Sequence, residues 1–138
     1  MAHYGIYGAW RQANRVVAIR KARGPYLGML DLPGGSPERG ETEMETLRRE
    51  LLEECGVTQI EVLSWHDFDF FVERSSTDEP VNAHHRGQIA IVNVSEEVAP
   101  IENVEDVRSV ELINPLDHHA SEFTPPFRYA LTLLKESQ

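Results

Sequence analysis

Alternation of apolar and polar residues at two different periods divides the chain. Tyr4 to Trp10 and Val16 to Ile19 have the short apolar character of strands, joined by the polar turn Arg11-Gln12-Ala13-Asn14. Glycine and proline punctuate the next passage, Arg23 to Gly40, at Gly24-Pro25 and Pro33-Gly34-Gly35. It is expected to be loop, with at most a brief strand in the apolar piece Met29 to Leu32. From Val57 to Val72 aromatic and apolar residues predict one or two strands. The polar stretch Arg74 to Arg86 reads as a loop or a hairpin tip. Gln88 to Val94 alternates as a strand, and Val107 to Ile113 is a weaker one.

Two segments change to the helical period. Met44, Leu47, Leu51 and Cys55 fall on one face at about 100° per residue. Thr42-Glu43-Met44-Glu45 has the form of a capping box: the Thr42 hydroxyl can accept from the Glu45 amide while the Glu45 carboxylate reaches back. Gly56 supplies the left-handed stop, so the helix is predicted over Glu43 to Cys55. A second helix begins at Thr124-Pro125-Pro126, with Phe127, Ala130, Leu131 and Leu134 forming its apolar stripe. Strands surround two helices without strict βαβ alternation. The expected fold class is therefore α/β, a mixed sheet between helices.

The length, 138 residues, fits one domain spanning 1–138. A composition with 41% hydrophobic and 26% charged residues is that of a globular chain and argues against disorder. The charge matters more. With 23 acidic against 13 basic residues the chain carries −10, which disfavours nucleic acid or an anionic membrane as a partner. An anionic substrate would need a local source of positive charge, and a divalent cation is the obvious one. A single cysteine, Cys55, cannot form an internal disulfide or a cysteine-rich zinc site. The N-terminal residues lack a secretion-signal pattern, and no apolar run approaches the ~20 residues of a bilayer span. A cytoplasmic protein is expected.

On the first helix, Glu53 and Glu54 lie within roughly 60° on either side of Glu50, so three carboxylates share one face. Such packing is repulsive unless something neutralises it. Mg²⁺, a hard cation that keeps several of its waters, is suited to the task. Gly34 and Gly35 allow close backbone approach and can aim a carbonyl at the same ion. Arg49 points to another flank, where pairing with Glu41 would tie loop to helix.

The segment Gly35-x5-Glu41-x7-Arg49-Glu50-Leu51-x-Glu53-Glu54-x-Gly56-Val57 resembles a complete Nudix box, the signature of the Nudix hydrolase superfamily. Asp31-Leu32-Pro33-Gly34 is similar to the usual approach to that box. Thr46 and Leu47 stand where the family often has alanine, a packing departure. The resemblance implies a Nudix-type α/β/α sandwich with a mixed β-sheet between helices. It implies a hydrolase that cleaves a nucleoside di- or triphosphate linked to another moiety, using Mg²⁺ or Mn²⁺ while water attacks one phosphorus in line. It implies Glu50, Glu53 and Glu54 as the metal-holding, catalytic acids, with the Gly34 carbonyl as a further ligand. Gly35, Glu41, Arg49 and Gly56 would be the structural members of the box. By the same resemblance Glu50 is one candidate base for the water, and Glu102, Glu105 and Asp106 are the alternative candidates in a loop beyond the box.

The resemblance further implies a small nucleotide as partner and leaves a homodimer open. The proline that often follows the box in ADP-ribose hydrolases has no counterpart: Glu73 stands at about that place. The tail motif of NADH hydrolases is missing as well. A nucleoside triphosphate, or broad specificity, is the favoured expectation, with ADP-ribose or a nucleotide sugar as the alternative. A nucleotide sensor that does not hydrolyse is the rival from another class, against which the full set of carboxylates argues. Arg20, Lys21 and Arg23, at the end of the second strand, are expected to contribute a phosphate contact. Cys55, on the apolar face, reads as a buried inert thiol. His84-His85 and His118-His119 read as surface residues rather than ligands, because neighbours in an extended chain point to opposite sides. Phe68, Phe70 and Phe71 read as core rather than a stacking platform.

Overall fold

A computed structural model of the chain describes residues 2–99, 101–104 and 106–136. Strand β1 (Ala2–Ala9) leads into the short β2 (Arg11–Gln12) and then β3 (Arg15–Lys21). Ala13 and Asn14 both take positive φ, 52° and 63°, which makes the β2–β3 connection a tight two-residue turn. The glycine-rich passage holds two short strands, β4 (Leu30–Asp31) and β5 (Gly34–Gly35). Helix α1 covers Glu43–Cys55, the span its capping signals predict. The Glu45 amide donates to Thr42 Oγ1 at 3.1 Å, and the Thr42 amide donates to Glu45 at 3.0 Å. Gly56 stops the helix at φ 71°.

Beyond α1 the chain builds a long hairpin, β6 (Ile60–Arg74) against β7 (Pro80–Val94). The tip is confined to residues 75–79, where the Arg74 guanidinium donates to Asp78 at 2.7 Å. The polar stretch up to Arg86 is therefore strand from Pro80 onward. Pairing with β6 overrides its weak apolar pattern, and proline sits at the first position, where it disturbs least. Strands β8 (Glu102–Val104) and β9 (Val107–Ile113) follow, and α2 (Pro125–Glu136) closes the described chain. No helix among the described residues is long and apolar enough to cross a membrane.

These strands form two sheets rather than the single mixed sheet expected. One has the order β5-β1-β7-β6 and is mixed: β1 runs parallel to β7 and antiparallel to β5. The other has the order β2-β3-β9-β8, with β4 also on β3, and is antiparallel. The split occurs at Trp10, where the chain leaves β1 and re-enters the second sheet as β2.

Both faces of the strands are covered, which gives the α/β/α sandwich its two cores. Ile6, Val17, Ala90 and Val92 pack with Leu47, Leu51 and Cys55 of α1. Their strand neighbours Tyr7, Val16, Ala18, Ile89 and Ile91 face the opposite way, onto Phe127, Ala130 and Leu134 of α2. Strands buried on both sides lose the alternation that a half-exposed strand would show. Phe68 is core and Phe70 packs against it, but Phe71 lies on the exposed face of β6.

Candidate active site

The loop from Gly34 to Glu41 is fastened to α1 by Arg49. Its guanidinium grips Glu41 at two points, Nε to Oε2 at 2.7 Å and Nη2 to Oε1 at 2.9 Å. It also donates to the Ser36 carbonyl at 3.1 Å and to Glu50 Oε1 at 2.9 Å, with Glu53 Oε2 at 3.5 Å. Hydrogen bonding to Arg49, more than any other contact, holds the Glu41 carboxyl down at about 2. The Thr46 hydroxyl adds a contact at 3.0 Å from Glu41. A small polar residue is thus useful there, beyond the packing change the sequence suggested.

Two of the three predicted carboxylates are deep: Glu50 is 5% exposed and Glu54 3%, whereas the Glu53 side chain is 37% exposed. The Gly34 amide donates to Glu54 Oε1 at 2.8 Å, so it is the N–H of Gly34 that touches this carboxylate. Gly34 has φ 149°, and a Cβ there would meet the Ile6 carbonyl at 2.2 Å. A Cβ on Gly35 would meet Glu50 Oε1 at 2.6 Å. Both positions need glycine for close approach. Burial pushes the Glu54 carboxyl well above its ordinary range, and the charge of Glu50 adds to the shift while the Gly34 bond opposes it.

Among the described residues, no three His, Cys, Asp or Glu side chains already converge as a cation cage. Arg49 occupies part of the space, standing on Glu50 and Glu53. The donor chemistry nonetheless suits a hard divalent ion: carboxylate oxygens only, two of them desolvated and mutually repelling.

A cavity of about 300 Å³ lies beside this face. Tyr7 links the two, since its backbone pairs with Gly34 and its side chain lines the cavity. His85, 4% exposed, sits between two hydroxyls: Tyr7 Oη at 3.0 Å from Nε2 and Tyr26 Oη at 2.8 Å from Nδ1. Burial, then the charges of His3 and Lys21, push this imidazole down to about 3, so it is neutral. Asp31 lies deeper, 2% exposed, accepting from the Leu32 amide at 2.8 Å and the Thr124 hydroxyl at 2.6 Å. Burial raises its pKa, against Lys21 and these two donors.

The basic residues expected on phosphate divide by strand alternation. Lys21 and Arg23 line the cavity and both pair with Asp106, Lys21 Nζ at 3.6 Å. Arg20 is not brought to the cavity. It is locked to Glu111 at 2.8 and 3.0 Å and to the Gly28 carbonyl at 3.0 Å. Burial tends to raise Asp106, but Arg23 and Lys21 outweigh it and hold the carboxyl below its usual range. Glu102 stands exposed on β8, and Glu105 lies outside the described residues. Cys55 is fully buried, its thiol pushed up by that burial. His84 and His85 do point opposite ways: His84 meets Asp69 at 2.6 Å on the exposed face. Against the surface reading, His85 is a buried cavity residue. Sequence reasoning passed over Tyr7, Tyr26, His85 and the role of Asp31. The one signal available was an acid between Leu30 and Leu32 in an otherwise apolar piece.

The family model described as NUDIX domain matches residues 2–132. The curated RNA pyrophosphohydrolase of Helicobacter pylori (strain G27) is 45% identical over 47 residues, 31% of this chain and 30% of that protein. The match therefore spans less than a third of that relative's length. Among solved structures, the MutT NUDIX hydrolase from Burkholderia pseudomallei superposes with TM-score 0.64 at 23% identity, covering 96% of this chain and 97% of that one. A bifunctional NMN adenylyltransferase/ADP ribose pyrophosphatase from Francisella tularensis, complexed with AMP and Mn ion, superposes with TM-score 0.72 at 15% identity. That superposition covers 99% of this chain and 42% of the other.

Proposed function

Since the chain belongs to the NUDIX domain family, we propose that it is a metal-dependent pyrophosphohydrolase acting on a nucleoside triphosphate or on a broad set of nucleotides. The observation that carries this reading is the pair of buried carboxylates, Glu50 and Glu54, projecting from one helix beside a cavity of nucleotide size. The Mn ion and AMP in the Francisella tularensis structure support the same chemistry. The RNA pyrophosphohydrolase is named for action on RNA, but a net charge of −10 disfavours a long polyanion here.

Mg²⁺ or Mn²⁺ held by Glu50, Glu53, Glu54 and the Gly34 carbonyl would supply charge neutralisation at the phosphates and a more acidic water. The remaining work falls to the chain. Lys21 and Arg23 face the cavity, where their charges attract the phosphate groups. Arg49 braces the loop that carries Gly34, which fixes the spacing between backbone and carboxylates. Glu50 takes the proton of the attacking water on a carboxylate oxygen. An O–P bond forms as the phosphoanhydride P–O bond breaks. Asp106 is a weaker base, because two cations hold it ionised.

The test is incubation with a nucleotide panel and Mg²⁺ or Mn²⁺, with every product identified. The expected result is release of phosphate or pyrophosphate, abolished by a chelator and restored by added metal. Tight nucleotide binding without turnover under any divalent ion would instead favour the sensor reading.

A further inference from the structure

Asp31 has an oxygen that the protein does not use. Both donors that reach this buried carboxylate, the Leu32 amide and the Thr124 hydroxyl, end on Oδ1. Among the described residues no hydrogen-bond donor reaches Oδ2, and Asp31 lines the cavity. A carboxylate oxygen that faces a cavity without a protein donor takes its hydrogen bond from whatever enters. Lys21 favours the ionised form by its charge but makes no ion pair with Asp31. The charged groups on the same wall, Lys21, Arg23 and Asp106, pair with one another. The hydroxyls of Tyr7 and Tyr26 both contact His85, whose neutral ring accepts from one and donates to the other, and Val72 and Ala83 are apolar. Such a chamber fits a flat heteroaromatic ring that carries one N–H donor at its far edge.

We infer that Asp31 Oδ2 selects the base of the nucleotide by accepting a hydrogen bond from an exocyclic amino group, the 6-amino of a purine or the 4-amino of a pyrimidine. The inference rests on the proposal above that the substrate is a nucleotide. That edge of the base lies farthest from the sugar, so it enters the deep end while the phosphates stay near Lys21 and the carboxylates. An oxo group in the same place would set acceptor against acceptor and leave both unsatisfied. A site of this kind discriminates strongly, because the wrong ligand strands a buried polar group.

The experiment is calorimetric binding of AMP, IMP, CMP and UMP to the full chain, compared with Asp31→Asn. The wild-type protein should bind AMP more tightly than IMP, or CMP more tightly than UMP, by roughly 10- to 100-fold, as expected for a hydrogen bond to a charged group. In the variant, Leu32 and Thr124 still require an acceptor at the Oδ1 position, so the new amide NH₂ must face the cavity. The preference should then reverse towards IMP or UMP. Because the Thr124 contact also anchors the start of α2, the variant could lose its fold. Purine riboside 5′-monophosphate, which lacks the amino group, makes the same comparison on wild-type protein and should bind like IMP. Equal affinities within each pair, an equal loss for all four ligands in a folded Asp31→Asn, or no binding of any ligand would overturn the inference. A binding preference without turnover would defeat the hydrolase proposal alone, and turnover without a preference would defeat this one alone.

Discussion

Arg49 meets Glu41 across the junction of loop and helix in a two-point ion pair, 2.7 and 2.9 Å, and the same guanidinium reaches Glu50 at 2.9 Å. One side chain therefore both ties down the glycine loop and touches Glu50, the acid proposed to take the proton of the attacking water. Arg49→Ala should lower the melting temperature by several degrees. It should also cut turnover by at least about tenfold, since small displacements of reacting groups are expensive. Arg49→Lys keeps the charge but not the fork, and should recover little of either. Full stability with a selective loss of turnover would place Arg49 on the substrate instead.

Lys21 and Arg20 are neighbours with opposite fates, which gives a paired test. Lys21→Ala should raise KM several-fold, because its charge is directed into the cavity, and should also lower the melting temperature modestly by removing the charge beside Asp31 and Asp106. Arg20→Ala should lower the melting temperature alone, breaking the bidentate contact with Glu111 and the bond to the Gly28 carbonyl while leaving KM close to normal. A KM effect from Arg20 of the same size as that from Lys21 would contradict this division.

Helix α1 was legible to its last residue because its signals are local. The Thr42 cap, the Glu45 reciprocal bond and the Gly56 stop lie within one stretch and need no partner elsewhere. The acid spacing was legible for the same reason. The sheet split at Trp10 and the strand from Pro80 to Gly87 were not, since both depend on pairing between distant segments. The cavity was hidden in a similar way. His85, Tyr7 and Tyr26 are far apart in the chain and become a cluster only when β1 pairs with β7. Adjacent histidines looked like surface residues, and alternation alone could not say which of the two would face inward.

His85 gives the pH prediction. Its folded pKa of about 3 lies below the unfolded value of 6.5, so the unfolded chain takes up a proton first as pH falls. The stability this neutral histidine confers is fully present above pH 6.5 and declines as pH drops towards 3. Glu41 acts in the same sense at lower pH, between 4.5 and about 2. Denaturation at pH 7.5 and at pH 5 should show His85→Gln losing less stability on acidification than the wild type. An identical loss in both proteins would mean that His85 does not titrate with folding.

Turnover of Glu50→Gln decides whether this carboxylate is the base proposed for the attacking water. Glutamine keeps the shape and still accepts from Arg49, but it removes a charge next to Glu54, so the fold should survive with repulsion relieved. With Mg²⁺ and the best nucleotide from the panel, kcat should fall by roughly 10²–10⁴-fold, the range for losing a positioned base or an essential charge. A folded Glu50→Gln that turns over at a near-native rate would contradict the account.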